Sequence, residues 1–539
     1  MTLPRSAAEV LSRHVTFEIE CIDRMYLNVY QPQLQYTGGA ATFFIGHRGF
    51  VYASSALMAQ MTEAFVADLH HFMAAHDVPL VHFAKGQCKD DVMQKYLAEH
   101  DGSEGVLFVG RAQEKTRVIS SVRRRNPTTG APYAWLVHTS ALVNHFYVYC
   151  VDADFGPFFI KFCSYFPFTA KLCINGHEWA KRQAARAGLE FTALDNGFAA
   201  AADPAAVQAI CHRLGPGHID ALLRKWLRRL PHPFTVEDIA AGYRYELSIL
   251  QAEFSLTQVL DRPVTGRIFF EQVIRDNLDL GRPDRVSLVF DRRLLSRGPN
   301  RTPGPFRTRV VTVGVTPSLH VDYKHSKIVQ YHKHGVALRT ETTINDPGDF
   351  RLRKGLNNLP ALREVGFTAN RRLLSVQRIS HDPTTGAEAF TAVTGPIDVD
   401  GQHAAGLPFG DPRAQALLAT LLTFRLHPGG FTNADLRIHL AGLLGANPDT
   451  WSPGKGTYDL RRLRLHGLIQ RIPHSHRYQV TDAGLHHALF LTRLHERLIR
   501  TGTAQLTDPD PPTPTALRTA AHAYHKAVDS LTRQAGLAA

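Results

Sequence analysis

No stretch of this 539-residue chain approaches the ~18 consecutive apolar residues that cross a bilayer, and its first twenty residues hold no apolar run of signal-peptide length. Neither a membrane span nor a membrane partner is expected, and the reading is cytoplasmic. Cysteine is scarce: Cys21, Cys88, Cys150, Cys163, Cys173 and Cys211 are widely spaced, none forms a CxxC pair, and several sit in apolar, strand-like runs. That spacing predicts buried, reduced thiols rather than disulfides, and no zinc. No Walker loop, GxSxG elbow or HExxH helix occurs, which argues against a nucleotide-driven motor or a hydrolase triad. No self-similarity appears at solenoid periods.

Charge is what the chain has in excess. Lys and Arg number 61 against 48 Asp and Glu, a net charge of +13, while the charged fraction (20%) is low and the apolar fraction (44%) is ample for packed cores. Such a surface attracts a polyanion, and DNA is the expected partner, with RNA as the alternative. A genome-wide bias towards Ala, Arg, Gly and Pro codons would raise the charge in the same way. At ~150 residues per domain the length predicts roughly three to four domains. Their pattern suggests a multidomain α/β and α+β protein: an α/β module over 1–110, a mixed-sheet core with following helices over 111–260, and a basic, strand-rich module over 261–400. A linker over 401–411, a helical domain over 412–499, and a Pro-rich spacer with a helical tail over 500–539 complete it. Composition sets no oligomeric state.

Along the chain, RVISSVRRRNPTTGAPYAWLVHTS reads as two strands joined by the turn NPTTG, with Arg123, Arg124 and Arg125 on the first arm. These arginines suit a phosphate backbone or an edge strand guarded by charge. In NHFYVYCVDADFG, Phe146, Val148 and Cys150 alternate with Tyr147, Tyr149 and Val151, so both faces are apolar and the strand should lie centrally in a covered sheet. Residues 204–230 and 235–260 read as helical, the second capped by Thr235.

Residues 412–499 carry the most specific pattern. PRAQALLATLLTFRLHPGG is a helix ending at glycine, FTNADLRIHLAGLLG is a second with Thr432 or Asn433 as cap, and SPGKGTYDLRRLRLHGLI is a third opened by Ser452 and Pro453. QRIPHSHRYQVT gives two short strands, and DAGLHHALFLTRLHERLI closes the segment. The run GLIQR, the hairpin and YQVTDAG together resemble the winged-helix family of bacterial regulators. The resemblance covers about a sixth of the chain and implies a third helix in the major groove with a wing on the backbone. Lys455, Tyr458, Arg461 and Arg462 would then face DNA, with His474, His476 and Arg477 on the wing. The alternative is a winged helix used for protein contact.

A second pattern is chemical. Asp152 and Asp154 lie two apart at the end of a buried strand, Glu178 opens the helix HEWAKRQAARAG, and Asp195 ends the strand FTAL. Strands, then a helix bearing glutamate, then a strand ending in aspartate is the order seen in RNase H-like nucleases and transposases, and it implies an RNase H-like mixed-sheet core. Asp152, Glu178 and Asp195 would hold Mg²⁺ or Mn²⁺ for phosphodiester chemistry, with Asp154 nearby and Glu246 or Glu253, seven apart on one helix face, as a further ligand. Acidic residues also favour such turns and helix starts without a metal. Tyr323, Tyr331, His332 and His334 are similar in type to the tyrosine and histidines of rolling-circle endonucleases, although Lys333 separates the histidines where an apolar residue is usual. Two classes stay open: a metal-dependent nuclease or strand-transfer enzyme of mobile-element type, and a non-catalytic DNA-binding regulator or replication factor.

Overall fold

The computed structural model describes residues 7–84, 86–279, 288–289, 307–313, 316–323, 325–333, 335–379, 386–424, 429–447 and 452–495, with isolated helical positions between 519 and 530. Two compact units emerge. One comprises residues 13–267 with 285–371, and the other residues 1–12, 268–284 and 372–539.

The first unit is mixed α/β. Its strands begin with β1 (Val15–Tyr30), β2 (Leu80–His82) and a long pair, β3 (Gly105–Arg125) and β4 (Pro132–Asp152). There follow β5 (Gly156–Cys163), β6 (Ala170–Asn175), β7 (Phe191–Leu194), β8 (Gly197–Ala201) and β9 (Glu246–Leu260). The series ends with β10 (Leu288–Val289), β11 (Arg307–Val313), β12 (Thr316–Tyr323), β13 (Ser326–Lys333) and β14 (Ala337–Ile344). Twelve of these form one sheet in the order β10-β11-β12-β13-β14-β9-β1-β6-β5-β4-β3-β2. All neighbours pair antiparallel except the short β2 and β10, which add parallel at the two ends. Residue 110 therefore lies inside β3 and residue 260 closes β9, both within this sheet.

Alternation places Phe146, Val148 and Cys150 in the main core. Tyr147, Tyr149 and Val151 pack on the opposite face with Phe108, under the helix Lys89–Glu99. The expected central, doubly covered strand is thus β4. On the main-core side the helix Ser55–Ala75 buries Met58, Phe65, Leu69 and Met73, a stripe at helical spacing, and Phe65 meets the rings of Phe162 and Phe168.

Two sequence expectations change. Thr235 does cap a helix, but that helix stops at Ala240, and residues 246–260 form β9 between β1 and β14. A strand buried on both faces shows no alternation, so its apolar residues resemble a helix stripe. Glu246 and Glu253 consequently share no helix face. The strand ending before Asp195 likewise pairs with β8 in a separate hairpin and not beside β4, so the strand placement that an RNase H-like order requires is not the one observed.

Across the middle of the sheet lies a buried ion network. Arg339 on β14, fully buried, donates to Asp23 Oδ2 (2.5 Å), Glu341 Oε1 (2.7 Å) and His177 Nε2 (2.8 Å), and also to the Asn196 carbonyl. Burial raises the Asp23 carboxyl, but Arg339 and His177 outweigh this and hold it well below its ordinary range. Burial and the neighbouring Asp23 push Glu341 up to about 7. Removing one partner of such a buried set leaves charges uncompensated, which costs about 3–5 kcal/mol. R339M should therefore lower the unfolding free energy read from urea denaturation by about 3–5 kcal/mol, and a variant within about 1 kcal/mol of the parent would show the network to be dispensable.

The second unit contains, in order, the helix Gly386–Thr394, a hairpin of Ile397–Val399 with Gln402–Ala404, and the helices Pro412–Phe424, Asn433–Leu444 and Pro453–Leu465. A hairpin of Ile469–Arg471 with Tyr478–Val480 and the helix Asp482–Arg493 follow. Thr432, Ser452 and Thr481 each accept a backbone N–H in the first turn of the helix they open, and Gly445 ends the second helix at φ 65°. Leu417, Leu421, Leu436, Leu440, Leu460 and Leu463 fill its core.

Candidate nucleic-acid interface

The helix Pro453–Leu465 turns Leu460, Leu463 and Leu465 inward and leaves Lys455, Thr457, Tyr458, Arg461 and Arg464 exposed, Tyr458 at 50%. Its one carboxylate, Asp459, is fully buried and accepts from Arg413 Nη2 at 2.6 Å. The arginines singled out from sequence are more engaged than expected. Arg461 Nη1 donates to the His403 carbonyl (3.0 Å), and Arg462 donates to the carbonyls of Ala405 (3.1 Å, from Nε) and Gly406 while covering the Tyr458 ring at 5.6 Å. On the hairpin, Arg477 donates to the carbonyls of Gly429 and Gly430, whereas His474 and His476 are exposed at the tip. Arg464, which the sequence reading passed over, is exposed beside them in chain order. Each carbonyl contact uses part of a guanidinium fork that carries five N–H donors, so the group is oriented without being saturated.

A backbone pair ties this surface together. Phe431, between the first two helices, exchanges both backbone hydrogen bonds with Tyr478 at 2.8 Å, adding a bridge to the hairpin. In the sheet unit, Arg123, Arg124 and Arg125 end β3 and are all exposed.

The acidic candidates divide between two places. Asp152, 1% exposed, accepts at Oδ1 from the backbone N–H of Asp154 (2.8 Å) and Phe155 (3.1 Å) and at Oδ2 from Lys225 Nζ (2.7 Å) and Trp226 Nε1 (2.8 Å). Burial pushes its carboxyl up, yet Lys225, the indole and the N–H groups outweigh it and hold the group below its ordinary value. Asp154 pairs with Arg186. Asp152 and Asp154 line a cavity of about 210 Å³ with Trp179, His218 and Lys225. Glu178 and Asp195 line a different one, of about 330 Å³, with Arg24, Asp90, Asn175 and Asn196. Lys181 links that pair, donating to Glu178 Oε1 (2.8 Å) and to the Asp195 carbonyl (2.8 Å).

Among the described residues, the ligand atoms that do converge belong to His325, Asp346 and Asp349, within 4.8 Å of one another, a spacing that could hold a metal ion. His325 Nδ1 already contacts Asp349 Oδ1 at 3.0 Å, and Asp346 accepts from the Gly348 N–H at 3.0 Å. The only sequence sign was NDPGD after a strand, a turn signal that hides any ligand role. Tyr331 lies on β13 and its hydroxyl donates to Glu341 (2.8 Å), with His332 next on the same strand. His334 and the Tyr323 side chain fall outside the described residues. Cys88 is exposed and the other five cysteines are buried, all as free thiols, with burial pushing Cys173 up to about 12. No family model, curated protein or solved structure matches the chain.

The environment of Asp152 is that of a structural anion. D152N should cost about 2 kcal/mol at pH 7, since it removes charge-assisted bonds from a buried group. Because the native carboxyl is depressed, its contribution is complete above the ordinary aspartate value of 3.8 and fades as pH falls below it. Melting curves should therefore show the gap between parent and variant closing from pH 5 to pH 2 on the order of that difference; a gap independent of pH would contradict the role assigned to Lys225.

Proposed function

We propose that the protein binds duplex DNA, and that residues 412–493 act as a winged helix whose third helix lies in the major groove. One observation carries this reading. From Pro453 to Val480 there are six Lys and Arg residues, and the single carboxylate, Asp459, is buried against Arg413. An ordinary solvated helix and hairpin would mix signs, whereas a surface stripped of exposed acid suits phosphates. The Phe431–Tyr478 bridge supports the same assignment by fixing the hairpin as a wing beside the helices. Lys455 and Arg461 would reach phosphates and base edges from the exposed helix face, Tyr458 would add a hydroxyl, and His474 and His476 would approach the backbone from the wing. The helix-in-groove mode favours DNA, because the major groove of A-form RNA is too narrow and deep.

Phosphodiester cleavage is not part of the proposal. Asp152 is saturated by Lys225, Trp226 and two N–H groups and lines a different cavity from Glu178 and Asp195, so these three carboxylates make a poor metal set. The reading is of a non-catalytic regulator or replication factor. In fluorescence anisotropy with a labelled duplex, K455A/R461A should weaken binding on the order of tenfold and reduce the slope of log affinity against log salt by about 1.8, or ~0.9 per lost phosphate contact. Unchanged affinity and slope would move this module to protein contact.

A further inference from the structure

The β3–β4 pair outruns the sheet that holds it. β4 pairs with β5 only over His145–Asp152, and β2 covers β3 only at Val109–Arg111. Residues 112–125 and 132–144 therefore have each other as their one strand partner, a two-stranded ribbon ~45 Å long at ~3.3 Å per residue, with Ile119 N–H donating to the Phe166 carbonyl and the Asn144 carbonyl accepting from Ser164 N–H near its base. Its stem is docked. Ser55 and Ser121 exchange bonds from backbone N–H to hydroxyl at 2.9 and 2.7 Å, and Val118, Ile119 and Leu136 are buried. Beyond Ser121 and Leu136 every residue is exposed except the half-buried Ala134.

The tip is also stiff. Asn126 Oδ1 accepts the backbone N–H of Thr128 (2.9 Å) and Thr129 (3.2 Å), Asn126 N–H donates to the Ala131 carbonyl (2.9 Å), and Gly130 takes φ +67°, where a side chain would be strained. Opposed residues share a face, so Arg124, Tyr133, Val122 and Trp135 line one side and Arg123 and Arg125 the other. The Arg124 guanidinium covers the Trp135 ring at 4.8 Å.

Charge singles this ribbon out. From Lys115 to Val151 there are five Lys and Arg residues and no Asp or Glu. Guarding an edge strand needs charge but not a single sign, and it does not account for Val122, Tyr133 and Trp135 standing 41%, 40% and 47% exposed at the tip. We infer that this ribbon is a second DNA-binding element, inserted into a groove of duplex DNA with Arg123 and Arg124 as its main phosphate and base-edge contacts. The inference rests on the DNA-binding reading but on a different surface. A two-stranded ribbon fits the ~12 Å major groove, and the ~13 Å of strand beyond Ser121 exceeds its ~8.5 Å depth. Arginines on both faces meet phosphates on either side. A single strand is a poorer fit, because stacking needs an open ring face and Arg124 already covers one face of Trp135.

The test uses the full chain, with R123A/R124A, R123K/R124K and K455A/R461A compared by anisotropy on the same random-sequence duplex. A matching single strand and vesicles of anionic phospholipid serve as separate probes. R123A/R124A should lose affinity on the order of tenfold and about 1.8 in salt slope, and the lysine pair should restore most of the slope. Parent-like affinity and slope in R123A/R124A would overturn the inference. So would a loss confined to the single strand or to vesicles. If K455A/R461A alone loses binding, the ribbon assignment falls and the winged-helix reading stands; if R123A/R124A alone does, the reverse holds. A parent that ignores the duplex would sink both.

Discussion

One guanidinium holds the middle of the sheet in place. Arg339 sits on β14 and Asp23 on β1, and β9 lies between those strands, so their ion pair reaches across a strand that belongs to neither. The same group donates to His177 in the helix after β6 and to the Asn196 carbonyl in the β7–β8 turn. Hydrogen-bond ladders alone allow a strand to slip, and a slip of β14 by one residue would turn Arg339, and Glu341 with it, to the opposite face and leave Asp23 buried without its cation. The network thus contributes less to net stability than to uniqueness: it makes one register of three central strands far better than its neighbours. Burial and the neighbouring Asp23 raise the Glu341 carboxyl, which shares Arg339 with Asp23 and also accepts from the Tyr331 hydroxyl.

Local chemistry was legible in the sequence wherever a cap, a turn or a strong periodicity declared it. Ser452 and Thr432 mark helix starts that the structure keeps, NPTTG marks the turn between β3 and β4, and the two apolar faces of residues 146–151 mark a strand covered on both sides. Long-range partnership was not legible. The segment 246–260 is buried with no clear alternation as a central strand between β1 and β14, one more than two hundred residues earlier in the chain and one about eighty later, and nothing local distinguishes that from a helix. Asp152 looked like a ligand at a strand end because its partners, Lys225 and Trp226, come from a helix more than seventy residues on. Arg461, Arg462 and Arg477 were placed correctly along their elements, but carbonyl groups of distant loops take part of each guanidinium.

Charge is segregated along the chain and not merely in surplus. Many carboxylates in the sheet unit pair with lysines and arginines at close range, as with Glu114 and Lys161 or Glu20 and Arg371, and such pairs cancel at a distance. The uncancelled positive charge collects in segments with no exposed acid, residues 115–151 and 453–480. A polyanion responds to those local fields more than to the total of +13, since a Debye length of ~8 Å at physiological salt screens charge elsewhere on the molecule.

The short parallel strand at one end of the sheet has a further meaning. An open sheet of twelve strands invites other chains to add to its edges, the route by which β-rich proteins grow into fibres. Here β2 is three residues long, and past it the outer edge of β3 continues into a run ending in three consecutive arginines. A second copy approaching that edge near the ribbon tip would set like charges side by side. The arginines at this edge thus oppose, by charge repulsion, the pairing of one copy's strand with another's.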